Sequence, residues 1–143
     1  MRKKELYITP TPLSDAIYFK VSAIDVSSAP TLKEGLRLRT VFVVSPYEGD
    51  SKNKKAVRQL CREIVDRGYV PFAAHILYPA FMGEDERDKG ITYGFTWLER
   101  CDEVWIFVPR ERPHLTDGMK AEVLEATRLH KSLRFFYYSE SNL

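Results

Sequence analysis

From residue 40 to residue 138 the chain alternates two hydrophobic periods, and no other feature of it constrains the fold more. Thr40-Val41-Phe42-Val43-Val44-Ser45-Pro46 is a β-branched and aromatic run that stops at proline, the pattern of a strand buried on both faces. In residues 51–66 the apolar positions Ala56, Val57, Leu60, Cys61, Ile64 and Val65 recur every three to four residues. That spacing predicts a helix with one buried stripe, closed by Gly68. A strand is predicted over 69–74, a polar loop and helix over 84–100, a buried strand over 103–108, a helix over 117–131 and an aromatic strand over 133–138.

Strands and helices in strict alternation predict a parallel sheet covered by helices on both faces. With right-handed crossovers the expected fold is α/β, a Rossmann-like three-layer sandwich with a mainly parallel central sheet. Ligands of such sheets bind beyond the carboxyl ends of the strands. Residues 45–51, 74–82 and 109–118 are therefore expected around one cleft. Residues 1–39 stand outside the alternation, broken by Pro10, Pro12 and Pro30. They are expected to form an extension with one or two edge strands, or an arm toward a partner subunit, before an α/β domain over residues 40–143.

Charge and composition narrow the partners. The formal net charge is +2 in 143 residues, with seven basic and four acidic side chains in residues 1–39 and a slightly acidic remainder. No basic stripe for a nucleic-acid polymer is visible, and no apolar run reaches the roughly 18 residues of a bilayer span. Cys61 and Cys101 lack any CxxC or Cys/His spacing, so no metal site is expected and a reduced, cytoplasmic chain is. Trp97 and Trp105 are expected in the core as large apolar surfaces.

Two constellations carry candidate chemistry. Ser45, Pro46, Tyr47, Gly49 and Asp50 form a strand-to-helix turn, whose backbone N–H groups suit phosphate or sugar oxygens. It lacks GxGxxG and a Walker lysine, so neither a dinucleotide nor an NTP is indicated by motif, and it serves equally as a plain turn and helix cap. Asn53, one turn on, is placed to meet a ribose hydroxyl or phosphate, or to solvate the helix start. Asp117, Gly118, Met119 and Glu122 open a second helix at the same edge. There Glu122 is expected to be ionised by the helix dipole and able to attack an electrophilic carbon. His75, beyond the second strand, is a substrate-binding candidate or an acid with an imidazole near its ordinary pKa. Asp102 is expected to fix a helix-to-strand corner, and residues 83–90, with Arg87 and Asp88, to form an acidic loop over the cleft or a solvated helix start.

Four blocks in order carry a family resemblance: Val41-Phe42-Val43-Val44-Ser45-Pro46-Tyr47-Glu48-Gly49-Asp50 with Asn53, then Pro71-Phe72-Ala73-Ala74-His75-Ile76-Leu77-Tyr78, Cys101-Asp102-Glu103-Val104-Trp105-Ile106-Phe107, and Gly118-Met119-Lys120-Ala121-Glu122. Over about residues 40–138 the chain resembles the nucleoside 2-deoxyribosyltransferase-like superfamily, in a branch of small stand-alone domains. The resemblance implies cleavage or transfer at the N-glycosidic bond of a small nucleoside or nucleotide. Glu122 would be the nucleophile that forms a glycosyl ester, later resolved by water or a second base. No cofactor is expected, and the resemblance implies a homo-oligomer in which neighbouring subunits complete each site. Phe42 stands where characterised members carry a tyrosine that hydrogen-bonds the nucleophile, and Gly94 near where one base-binding aspartate falls; Asp117 is one position from the other. The alternative is a nucleotide-binding or sensing module of the same fold without turnover.

Overall fold

The computed structural model describes residues 38–47 and 51–142. The expected edge strands or arm of the N-terminal extension lie outside the described residues, and so do Gly49 and Asp50. Strand β1 (Thr40–Val44) leads into α1 (Ser51–Asp66), β2 (Val70–Phe72), a short α2 (Ala74–Leu77), α3 (Arg87–Arg100), β3 (Glu103–Pro109), α4 (Asp117–Arg128) and β4 (Ser132–Tyr138). All pairings are parallel and the strand order is β2-β1-β3-β4, so the α/β fold expected from the alternation is the one observed.

Residues of alternate parity in the central strands meet different helices, because successive strand side chains point to opposite faces. Val41, Val43, Trp105 and Phe107 pack against Leu60 and Ile64 of α1. Phe42, Val44, Val104 and Ile106 pack instead against Leu98 of α3 and Met119 and Ala126 of α4. β3 is buried along its whole length and β1 from Val41 onward, as their unbroken apolar runs predict. β4 is an edge strand, with Phe135 and Tyr137 59% and 64% exposed.

The observed boundaries differ from the periodicity by more than one residue at three places, each for a local reason. β2 stops at Phe72, because pairing with β1 ends there, and Ala74 opens α2 instead of extending the strand. Residues 84–86 form a single 3-10 turn before α3, with the Glu86 carboxylate accepting from Gly83 N at 3.4 Å. α4 ends at Arg128, because His130 takes a left-handed φ of 55° and its N–H closes on the Thr127 carbonyl. Gly68, at φ 87°, terminates α1 as predicted. Trp105 is core, 3% exposed, whereas Trp97 is 44% exposed and stacks on Phe72 at the edge of the sheet, 5.1 Å between centroids. This corrects the expectation for Trp97: helical spacing placed it one step off the buried stripe of α3.

The amino ends of the strands are tied by polar groups. Asp102 accepts from the Thr40 N–H at 2.8 Å and the Thr40 hydroxyl at 3.1 Å, the corner expected of it. Glu103, 2% exposed, accepts from Arg39 at 2.9 Å and lies 3.1 Å from Arg134.

Gly94 of α3 sets how closely this helix approaches the sheet. A Cβ there would lie 3.3 Å from Ala74 Cβ and 3.9 Å from Phe42 Cζ. Ala74 Cβ is fixed to backbone and cannot swing away. Gly94→Val should therefore destabilise the fold by about 1–3 kcal/mol through overpacking. Gly118→Ala, where a Cβ meets only open space, should leave the urea midpoint unchanged or slightly higher. Equal midpoints for both variants would refute this account of Gly94.

A candidate active-site cleft at the switch point of the sheet

From β1 the chain moves outward to β2, then crosses back to β3 on the other side of β1. The strand-end loops therefore diverge above the β1–β3 seam, and a crevice is left where they part. A cleft of about 680 Å³ lies there. Its lining brings together Ser45 and Tyr47 after β1, His75 of α2, and Gly118, Met119 and Glu122 of α4.

The start of α4 is held by its cap. Thr116, extended at φ −69° and ψ 166°, accepts from the Met119 N–H at 3.2 Å. Met119, 1% exposed, anchors that turn in the core. Glu122 follows three residues later on the same side and enters the cleft. Burial pushes its carboxyl up to about 8. This corrects the expectation that the dipole ionises it: Glu122 is the sixth residue of α4, beyond the first turn where the dipole acts, so desolvation dominates.

His75 Nε2 lies 2.8 Å from Ser45 Oγ, and the Tyr47 ring meets the imidazole edge-on at 5.8 Å. Burial lowers the imidazole to about 4. His75 is therefore neutral at pH 7, and an imidazolium acid near its ordinary pKa is not what the cleft holds.

Among the described residues, the remaining sequence candidates stand back from the cleft. Asn53, 4% exposed, donates to the Tyr47 carbonyl at 2.8 Å and so holds the strand-end loop in place. Pro46 is buried within the strand-end loop, and Asp117 is exposed at the start of α4. Phe42 is fully buried in the core below.

Gly83, Glu86, Arg87 and Gly90, expected in a loop over the cleft or at a solvated helix start, form one wall of the cleft with Ile91 and Gly94. Their spacing of three to four residues was a legible signal: α3 and its leading turn present one face to the cleft, with Gly83, Gly90 and Gly94 along it. Lys54 of α1 was also missed. Arg87 and Lys54 are both exposed, and they place two cations at the rim. Among the described residues, no helix is long and apolar enough to cross a membrane.

The two buried titratable groups have opposite effects on stability. Glu122 has a folded pKa above its ordinary 4.5, so its contribution is complete below that pH and is lost as pH rises toward 8. His75 has a folded pKa below its ordinary 6.5, so its contribution is complete above that pH and is lost as pH falls toward 4. Between 6.5 and 8 only the loss from Glu122 remains. Glu122→Gln should accordingly raise Tm at pH 8 and raise it much less at pH 5. An equal change at both pH values would show that the carboxyl is not desolvated.

The fold is shared with solved 2-deoxyribosyltransferases. A 2-deoxyribosyltransferase from Bacillus psychrosaccharolyticus superposes with a TM-score of 0.56 and 15% identity, covering 70% of this chain and 73% of that one. A 2-deoxyribosyltransferase from Leishmania mexicana gives a TM-score of 0.51 and 19% identity, covering 69% of this chain and 64% of that one. At these identities the likeness is one of fold. No curated protein matches the sequence. Residues 39–136 match a family described as a domain of unknown function, DUF7768, and since the match spans both central strands and every helix around the cleft, the chain belongs to that family.

Proposed function

We propose that the cleft binds a small nucleoside or nucleotide and that Glu122 cleaves or transfers its N-glycosidic bond. One observation carries the reading: a desolvated carboxyl enters a cleft at the sheet's switch point, on a fold shared with 2-deoxyribosyltransferases. Once ionised, a Glu122 oxygen bonds to the anomeric carbon as the C–N bond breaks. The bonding pair leaves with the base, which takes up a proton. Water or a second base then displaces the glutamate from the sugar, so one hard displacement becomes two easier ones.

The desolvation that raises Glu122 also serves this chemistry. A carboxylate stripped of water is a stronger nucleophile, and its charge is relieved as the ester forms. Tyr47 at the cleft wall supplies a flat aromatic surface for a base. Phe135 and Tyr137, exposed on β4, support self-association of the chain as part of the same reading.

Incubation with deoxynucleosides and deoxynucleoside monophosphates, followed by chromatography, should release free base. Glu122→Ala should lower the rate by roughly 10³-fold or more, as expected for loss of a nucleophile. The rate should rise between pH 6 and pH 9 with an apparent pKa near the value of about 8 for Glu122, because only the ionised form attacks. A rate that falls over the same interval would make Glu122 an acid instead of a nucleophile. Tight nucleotide binding with no base release, unchanged in Glu122→Gln, would make the domain a binding module.

A further inference from the structure

Ser45 and His75 come from different strand ends, β1 and β2, and meet through one hydrogen bond of 2.8 Å at the cleft. Ser45 is 5% exposed, so only a group inserted deep into the cleft reaches its hydroxyl. The imidazole is held from the side by the Tyr47 ring, 5.8 Å away. We propose that this pair is the cleft's sugar-hydroxyl recognition element: Ser45 bonds one hydroxyl of the ligand's sugar, and His75 is the positioning residue that fixes the direction of the serine hydroxyl. The assignment rests on the nucleoside reading above and names the part of the ligand that this wall accepts.

The pair is uncharged at neutral pH, since burial keeps the imidazole neutral. A phosphate pressed against an uncharged, desolvated floor would lose its hydration with no opposing charge, whereas a hydroxyl exchanges one hydrogen bond for another. The cations of the lining, Lys54 and Arg87, are exposed and stand away from this pair, with Glu84 and Glu86 on the same wall as Arg87. Finally, the imidazole tautomer decides whether Ser45 donates to the ligand or accepts from it. A hydroxyl both donates and accepts, so it satisfies either arrangement, while a carbonyl or an ammonium satisfies only one.

The test is a cycle between protein variants and ligand hydroxyls. Binding of adenosine and cytidine, and of their 2′-deoxy, 3′-deoxy and 5′-deoxy derivatives, is measured by calorimetry on wild type, Ser45→Ala, His75→Gln and His75→Leu. Circular dichroism verifies that each variant is folded. Loss of one hydroxyl should weaken binding to wild type about tenfold and leave binding to Ser45→Ala unchanged, because the bond is already gone. His75→Gln, which keeps a polar group near the Nε2 position, should bind within about threefold of wild type, while His75→Leu should behave like Ser45→Ala. Additive losses for every hydroxyl, or equal losses in His75→Gln and His75→Leu, would overturn the assignment while leaving the nucleoside reading intact. If wild type binds none of these nucleosides, the nucleoside reading fails and this assignment falls with it.

Discussion

Four residues of β1 pair in parallel with β3, from Val41 opposite Glu103 to Val44 opposite Ile106, and both strands are covered on both faces. A parallel pair of this kind cannot be joined by a tight turn. The chain must cross over through a helix, and both faces of the sheet need helical cover. That requirement sets α1 on one side and α3 with α4 on the other. It also sends the connections out of β1 and β3 in opposite directions, which opens the cleft above the seam. The site thus follows from how a doubly buried strand pair is enclosed.

The two ends of the same seam treat carboxylates in opposite ways. At the amino end, burial alone would raise Glu103, but the bond from Arg39, the Trp105 indole N–H and the nearby Arg134 together hold it below its ordinary value. That carboxylate is charged, paired and structural. At the carboxyl end Glu122 has desolvation with no opposing partner among its causes, and it is raised to about 8. The contrast is informative because both glutamates sit beside the same strands. A group held out of its preferred ionisation state costs the free protein stability, and such groups cluster at functional sites.

Much of the fold was legible in the residues. The continuous apolar runs of β1 and β3, the amphipathic stripe of α1 and the stop at Gly68 are short-range patterns that match the structure, save that Val65, expected in the buried stripe, is 44% exposed. Less of the cleft was legible. Ser45, Tyr47, His75, Gly118, Met119 and Glu122 were named from strand ends and a helix start, and they do converge. The wall built from Gly83, Glu86, Arg87 and Gly90 was legible only as a loop over the cleft or a solvated helix start, because an acidic, glycine-bearing stretch fits either until the helix behind it is seen to face a cleft. Asn53 has the residue type of a ligand contact, yet its amide is spent on the Tyr47 carbonyl; which partner a polar side chain finds depends on a fold-wide arrangement.

By itself the sequence determined the parallel α/β class, the central pair of strands and the sheet edge at which the cleft opens, because hydrophobic period and strand-end geometry are properties of short segments. Only the tertiary structure decided the ionisation of Glu122 and His75 and the bond that joins Ser45 to His75. Those depend on how much water is excluded and on which groups meet across 30 or more residues of chain, and no local pattern encodes either.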